Sequence, residues 1–183
     1  MAEEQLILVD ERNRATGTGG KTAIHRAGKL HRAFSIFIVD GRGRILLQQR
    51  NAKKYHSGGL WANSCCGHPR TGERTLTAAH RRLNEELGLR SSLMFGFFAR
   101  YCAELDHGMT ENELVYVYFG PLAASPAPDP DEVAGIEYAR PREIQRRIKT
   151  EPAAFTSWLK HYFQHHFPEI VRCADASARS VVR

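Results

Sequence analysis

Hydrophobic and polar residues group into short blocks that predict a sheet-rich fold. Apolar and β-branched residues dominate residues 5–10, 32–40 and 44–50, and the turn GRG between the last two blocks predicts a β-hairpin. Two further blocks, 92–105 and 111–122, have the same character and are separated by the polar turn DHGM. All five blocks are therefore predicted to be strands.

A helical periodicity interrupts these blocks near the middle of the chain. Leu76, Ala79, Leu83 and Leu87 recur at the spacing of one helix face, and Gly88 is expected to end the helix. This face is predicted to be buried. Strands mixed with helices on this scale predict an α/β or α+β domain built in two or three layers.

The remaining segments divide into helices and irregular structure. Residues 141–149 and 152–167 predict two C-terminal helices, each with proline near its start. Residues 11–31 and 51–64 are polar and Gly-rich and are predicted to be irregular, a feature that is often functional in compact domains. Residues 174–183 are expected to form a flexible tail.

Length and charge narrow the class of protein. The 183 residues fit one domain, predicted to span residues 1–173, with 42% hydrophobic and 25% charged residues. No apolar run approaches a membrane span, and the acidic start is unlike a signal peptide, so a cytoplasmic monomer is expected. The net charge of +6 is spread along the chain, which favours a small polyanion such as a diphosphate over nucleic acid.

The run NSCCGHP, residues 63–69, concentrates reactive side chains. It could be a metal knuckle, a redox pair, or a nucleophile or proton carrier in a pocket. Cys65, Cys66, Cys102 and Cys173 form no CxxC pair and no disulfide framework, so free thiols are expected. A proton carrier or nucleophile stays open on these grounds.

A helix motif begins inside this run. The spacing Gly67, Glu73, Arg81, Leu83, Glu85-Glu86, Gly88, Leu89 resembles the Nudix box, G-x5-E-x7-R-E-U-x-E-E-x-G-U, with U aliphatic. In Nudix hydrolases the glutamates hold divalent metal against a diphosphate. One position differs from the Nudix box, because the chain has Arg82 where the box has glutamate. Arginine suits gripping phosphate, so diphosphate binding is expected and hydrolysis is disfavoured.

Histidines and carboxylates elsewhere suggest a metal site. His25 and His31 lie in the irregular N-terminal segment, and His68 follows Gly67, whereas the other six histidines are interpreted as ordinary surface or packing residues. Glu111 and Glu113 point to one face of a largely apolar strand, where burial is costly without a cation. Three imidazoles and two carboxylates suit zinc, manganese or magnesium.

Taken together, these segments resemble the type 1 isopentenyl-diphosphate isomerases over about Gln5 to Phe167. The segments that carry the resemblance are TGTGGKTAIHRAGKLHRAFS, WANSCCGHP, GERTLTAAHRRLNEELG, RYCAELDHGMTENE and AFTSW. The Arg-for-Glu exchange in the Nudix box is expected in this family. The resemblance implies a Nudix-type α/β/α sandwich with a mixed β-sheet, in which residues 1–32 form an extension that contributes metal ligands.

The resemblance also implies roles for individual residues. The catalytic group would be Cys66, Glu113, Tyr101 and Trp158. The diphosphate and the pocket wall would involve Lys21, Arg50, Lys54, Arg82 and Trp61. One tightly bound divalent metal (Mn²⁺, Zn²⁺ or Mg²⁺) would be held by His25, His31, His68, Glu111 and Glu113. A second ion, Mg²⁺, would bridge the diphosphate through Glu86 and the Cys66 carbonyl.

The implied reaction is the reversible conversion of isopentenyl diphosphate to dimethylallyl diphosphate in isoprenoid biosynthesis. Two other interpretations of the function remain open on the sequence. A Nudix hydrolase of a nucleoside diphosphate derivative would have no need of a Cys66 and Glu113 pair. A non-catalytic diphosphate-binding module would not require Cys66 at all.

Overall fold

The structure, a computed structural model, describes residues 3–181. Within these residues the strands are β1 Gln5–Val9, β2 Ala15–Gly20, β3 His31–Val39, β4 Ile45–Arg50, β5 Trp61–Ala62, β6 Cys65–Gly67, β7 Met94–Glu104, β8 Thr110–Pro121 and β9 Val133–Ala139. The helices are α1 Lys21–Arg26, α2 Thr75–Leu87, α3 Pro141–Thr150, α4 Ser157–His165 and α5 Phe167–Val181, with 3₁₀ turns at Asp106–Gly108 and Pro152–Ala154.

The strands form one mixed sheet around β3. β3 pairs in parallel with β8, from His31 opposite Glu113 to Val39 opposite Pro121, and antiparallel with β4, β6 and β1. β7 pairs with β8, while β5 and β9 pair with β4, and β2 extends β1. The parallel pairing brings His31 beside Glu113 at one end of the sheet.

Helices cover both faces of this sheet. Phe37 of β3 packs on one side with Tyr162 of α4, whereas its neighbour Ile36 packs on the other side with Leu83 of α2. Fully burying side chains of this size contributes about 1.5–3 kcal/mol each. The observed architecture is an α/β/α sandwich with a mixed sheet, and the predicted fold class is confirmed.

The adjacent cysteines lie on opposite faces of the sheet. In the β3–β6 ladder Cys65 is opposite Ile36 and Cys66 is opposite Ser35. Strand residues alternate between faces, so Cys65 is buried under α2 and Cys66 packs toward α4. Both thiols are free, as expected.

The periodicity of α2 predicted its buried face with one error. Ala79, Leu83 and Leu87 are fully buried, but Leu76 is 37% exposed. Leu76 lies in the first helical turn, where it borders an open groove together with Tyr116 and Tyr118 of β8.

Three other local predictions were wrong. Residues 11–31 are not irregular, since β2 pairs with β1 and leads directly into α1. Residues 152–167 do not form one helix, because Phe155 is extended beside Trp61 before α4 begins. The expected flexible tail is helical through residue 181, with Ala174 and Ser177 fully buried, and residues 182–183 lie outside the described residues.

The strands β5, β6 and β9 had no counterpart in the sequence prediction, because β5 and β6 are very short and residues 133–139 are only partly apolar. Among residues 3–181, none of the helices combines the length and apolar character needed to cross a bilayer.

Candidate active site

A cavity of about 700 Å³ lies between α1, β6, α2, β8 and α4. The sequence-predicted residues that line it are Lys21, Arg50, Lys54, Cys66, His68, Arg82, Glu86, Tyr101, Glu111, Glu113 and Trp158. These residues come from nine different elements or loops. Their convergence is therefore a property of the fold and not of any one motif.

Three buried histidines lie together beside this cavity. His25, on α1, His31, at the start of β3, and His68, just after β6, each offer a ring nitrogen, and these nitrogens lie within 4.8 Å of one another. Nδ1 of His25 lies 2.7 Å from the Lys21 carbonyl, and Nδ1 of His31 lies 2.9 Å from the Lys29 carbonyl. Because a carbonyl only accepts, both Nδ1 atoms carry the proton and both Nε2 atoms keep a lone pair.

The histidine cluster has the properties of a metal site. Nε2 of His25 and of His31 are buried and have no hydrogen-bond partner among the described residues. Burial lowers the pKa of His25 and lowers that of His68 to about 4, so both imidazoles are neutral at pH 7. Neutral imidazoles are typical divalent-metal ligands, and carbonyls hold His25 and His31 through Nδ1, so the residues present fit such an ion.

Glu113 completes the histidine cluster. Its Oε1 lies 2.9 Å from Nε2 of His68 and 3.5 Å from Nε2 of His31, and its side chain is buried. Burial opposes the charged form of Glu113, but its hydrogen bond with Nε2 of His68 lowers its pKa below the usual range. Glu113 is therefore an ionised carboxylate at neutral pH.

Glu111 has a different environment on the same face of β8. It accepts a hydrogen bond from the Tyr101 hydroxyl, and its Oε1 lies 3.4 Å from Nε2 of His56. Burial, together with the negative charge of Glu113, raises the pKa of Glu111. Two neighbouring carboxylates with opposite pKa shifts are typical of acid–base sites.

Cys66 presents a protonated thiol to the cavity. Its Sγ lies 3.1 Å from Oδ1 of Asn63 and 3.3 Å from Oγ of Ser35, which in turn lies 2.9 Å from the Tyr162 hydroxyl. Burial raises the pKa of Cys66 to about 12. At neutral pH Cys66 is thus a neutral acid, unlike the thiolate of a cysteine nucleophile.

Trp158 forms an aromatic wall of the cavity. Its indole is 3% exposed, and its Nε1 donates to Oδ1 of Asn63 at 3.1 Å. The Arg50 guanidinium lies 5.2 Å from the centre of the ring. This indole is therefore already placed against a positive charge, as in other cation–π contacts.

Cations from several elements surround one end of the cavity. Lys21 pairs with Glu4 at 2.9 Å, and Lys54 pairs with Glu132. Nε of Arg50 is buried without a hydrogen-bond partner among residues 3–181. This end of the cavity is suited to an anion with several oxygen atoms.

Arg82 anchors the glutamates of α2. It pairs with Glu85 at 2.9 Å and with Glu86, and it lies 3.4 Å from Glu132. Burial disfavours the charged guanidinium, but the Glu86 carboxylate raises the pKa of Arg82 above its usual range. Glu86, which is buried, also accepts a hydrogen bond from Gln48 at 3.0 Å.

Comparison with known proteins identifies the family. The NUDIX domain family matches residues 29–159. A protein of Pectobacterium atrosepticum named isopentenyl-diphosphate Delta-isomerase is 48% identical over 159 residues, which cover 87% of this chain and 89% of that protein. The chain belongs to the isopentenyl-diphosphate Delta-isomerase family. A protein of Nocardia farcinica with the same name is 45% identical over 174 residues, covering 94% and 95% of the two chains.

Solved structures support the fold of this family member. A crystal structure from Deinococcus radiodurans has a TM-score of 0.75 and 21% identity, covering 93% of this chain and 99% of that one. The MutT protein of Methanosarcina mazei Go1 has a TM-score of 0.62 and 16% identity, covering 76% and 93%. Likeness at these identities establishes a shared fold.

Two predictions about side chains in this family member need correction. Trp61 does not line the cavity; it is half-buried on β5, and its carbonyl accepts a hydrogen bond from the backbone N–H of Thr156 at 3.0 Å. His56 was interpreted as an ordinary histidine, yet it is buried in the cavity wall beside Glu111, and burial lowers its pKa to about 3. Only its position two residues after Lys54 could have signalled this.

Asn63 is the other side chain whose role the sequence did not indicate. It is the first residue of the NSCCGHP run, and the family resemblance assigns it no role. In the structure it contacts both Cys66 and Trp158.

Proposed function

We propose that this chain interconverts isopentenyl diphosphate and dimethylallyl diphosphate with Cys66 and Glu113 as its acid–base pair. The reaction adds a proton to one end of the C=C bond and removes a proton two carbons away. The alkene π electrons form the new C–H bond, and the electrons of the broken C–H bond form the new C=C bond. No other atom is gained or lost.

One observation carries the proposal: a protonated acid and an ionised base line the same cavity. The high pKa of Cys66 keeps its proton on sulfur, and the low pKa of Glu113 keeps its carboxylate free to accept one. Glu113 is buried and Cys66 is partly buried in the cavity wall, so little water can compete for the proton. Because the reaction is reversible, the two groups exchange roles between the two directions.

The aromatic and phenolic groups would support this proton transfer. Positive charge develops on the substrate between the two proton-transfer steps, and the face of Trp158 would stabilise it. The Tyr101 hydroxyl, which hydrogen-bonds Glu111, would hold that carboxylate in place. Lys21, Arg50, Lys54 and Arg82 would bind the diphosphate, whose position fixes the alkene between the acid and the base.

A divalent metal held by His25, His31, His68, Glu111 and Glu113 would supply positive charge that orients the carboxylates and lowers their pKa. The candidate ions are Mn²⁺, Zn²⁺ and Mg²⁺. Glu86 and the Cys66 carbonyl would hold a Mg²⁺ ion that accompanies the diphosphate. The enzyme would act as a monomer on this small molecule, without nucleic acid or membrane.

Hydrolysis of a nucleoside diphosphate derivative is the weaker candidate. The glutamate that a Nudix hydrolase would use for metal is replaced by Arg82, and this arginine pairs with Glu86. The chain therefore has one carboxylate fewer for the metal ions that a Nudix hydrolase would use.

The test is incubation with isopentenyl diphosphate and Mg²⁺ in deuterated water. We expect dimethylallyl diphosphate that carries deuterium, without released phosphate. Phosphate release without isomerisation would instead support the hydrolase.

Two variants test the assigned acid and base. Cys66→Ser and Glu113→Gln should each lower kcat by at least the roughly 10²–10⁴-fold typical of general acid–base groups. Cys65→Ser is the matched control, since Cys65 faces the opposite side of the sheet. If Cys66→Ser kept most of the turnover, the assignment of the thiol would be wrong.

A further inference from the structure

Asn63 is a buried side chain whose hydrogen-bonding capacity is fully used. It is 0% exposed and lies between β5 and β6. Its Nδ2 donates to the carbonyls of Ile36 and Cys65, each at 3.0 Å. Its Oδ1 accepts from Sγ of Cys66 and from Nε1 of Trp158, each at 3.1 Å.

Only one orientation of this amide satisfies its neighbours. Rotating it by half a turn would set Oδ1 against two carbonyl oxygens and Nδ2 against the Trp158 N–H, which can only donate. The carbonyls belong to β3 and β6, so the sheet fixes where Oδ1 points. The thiol and the indole then converge on one immobile oxygen atom.

We propose that Asn63 is a positioning residue that sets the Cys66 thiol against the Trp158 indole; this inference rests on the proposed function. Cys66 lies on β6 and Trp158 on α4, and no segment of chain joins them directly. Their shared acceptor limits the separation of Sγ and Nε1 to twice 3.1 Å. The proton carrier and the cation-stabilising ring are thereby held as one unit.

The neighbouring contacts explain why no other group duplicates this function. Ser35 contacts Cys66 and Tyr162, but not the indole. Arg50 approaches the ring face of Trp158 without fixing its edge. Loss of Asn63 would let thiol and ring move independently, and a misplacement of about 1 Å can cost roughly 10²-fold in rate.

The first experiment compares Asn63→Ala with Ser64→Ala. Ser64 is also 0% exposed; its Oγ accepts from the Ile38 N–H at 2.8 Å and donates to the Leu46 carbonyl at 2.6 Å. Its side chain has no hydrogen bond to Cys66 or Trp158 within the described residues. Both variants lose buried hydrogen bonds to backbone, so Ser64→Ala controls for a general loss of stability.

We expect Asn63→Ala to lower kcat by about 10²-fold while KM changes less than about threefold. Ser64→Ala should keep kcat within about threefold of the parent once both are assayed well below their melting temperatures. Equal losses of kcat in the two variants would overturn the proposal. So would a raised KM with unchanged kcat in Asn63→Ala, because that pattern indicates substrate binding.

A second measurement does not depend on whether Asn63→Ala folds. In a Trp61→Phe background, the one remaining indole N–H signal in an NMR spectrum belongs to Trp158. Replacing Cys66 with alanine should shift that signal, because Oδ1 of Asn63 then accepts from the indole alone, and Cys66→Ser should shift it less. An unchanged signal in Cys66→Ala would refute the shared acceptor.

These readouts separate the inference from the proposed function. A parent chain that fails to isomerise the substrate would refute the function. The indole signal would still show whether Cys66 and Trp158 share Oδ1 of Asn63 as their hydrogen-bond acceptor.

Discussion

Ion pairs of Arg82 stabilise the parent chain. Replacing this arginine in Arg82→Glu should make the free energy of unfolding depend on divalent metal. The substitution restores the glutamate of the Nudix box at this position. In the parent chain the guanidinium contacts Glu85, Glu86 and Glu132. The variant would remove this positive charge and add a further carboxylate among the three.

The cost follows from the burial of Glu86. Removing one partner of a buried ion pair costs about 3–5 kcal/mol. Glu86 keeps its hydrogen bond from Gln48, and the Arg82 side chain is 22% exposed, so part of that cost is relieved by solvent and by the amide. We therefore expect Arg82→Glu to lower the free energy of unfolding by about 2–3 kcal/mol in EDTA.

Urea unfolding followed by circular dichroism measures this loss with and without Mg²⁺. An ion that binds only the folded state adds about 2.7 kcal/mol when present at 100 times its Kd, so saturating Mg²⁺ should restore most of the loss. The parent chain, whose carboxylates are already neutralised by Arg82, should respond to Mg²⁺ much less when no diphosphate is present.

Arg82→Gln is the matched control, since it removes the positive charge without adding a ligand. It should be destabilised and recover less with Mg²⁺. Arg82→Glu that is as stable as the parent chain in EDTA would refute the reasoning. Equal recovery of both variants would show that the new carboxylate does not bind the metal.

Three further predictions follow from buried polar groups. Cys65→Ser should lower the free energy of unfolding by about 1–3 kcal/mol in thermal or urea unfolding, because a hydroxyl is buried under α2, with kcat unchanged; a lowered kcat would contradict the separation of the two faces. Asp40→Asn should cost about 1–2 kcal/mol at pH 7. Burial alone would raise the pKa of Asp40, but hydrogen bonds from Arg44 hold it below its usual 3.8. The contribution of Asp40 to stability is therefore complete above pH 3.8 and is lost as the pH falls through the lower pKa of the folded state. Unfolding curves of variant and parent should converge in acid, and a constant difference would refute this. Removing divalent metal with a chelator should lower the melting temperature of the parent chain, and His25→Ala should abolish that response in differential scanning fluorimetry; an equal response in both would exclude His25 as a ligand.

The sequence predicted those parts of the molecule that depend on local patterns. The hairpin of β3 and β4 and the buried face of α2 follow from alternation and helical spacing. Residue identities also indicated most of the cavity, because the motifs around Cys66 and Glu113 are specific. The exposure of Leu76 could not be predicted, since helical spacing does not reveal which part of the apolar face borders an open groove.

Long-range packing produced the remaining differences. Phe155 is extended because it lies beside Trp61, a contact between distant segments that interrupts an otherwise helical pattern. His56 enters the cavity wall because its loop places it beside Glu111, and in the sequence only the nearby Lys54 could have indicated this. Asn63 acquires its contact with the indole only when α4 brings Trp158 to β6.

Because Cys65 and Cys66 lie on opposite faces of the sheet, chemical labelling of the two thiols measures two separate events: ligand binding in the cavity and opening of the helix layer. An alkylating reagent reaches Cys66 through the cavity, so its labelling rate records ligand occupancy. Cys65 lies under α2 with no exposed surface, so its labelling requires that the helix layer opens. Trypsin would release both thiols in one peptide, residues 55–70, without Cys102 or Cys173. Fragmentation spectra of that peptide at successive labelling times would therefore give the rate of substrate protection at Cys66 and the rate of helix-layer opening at Cys65.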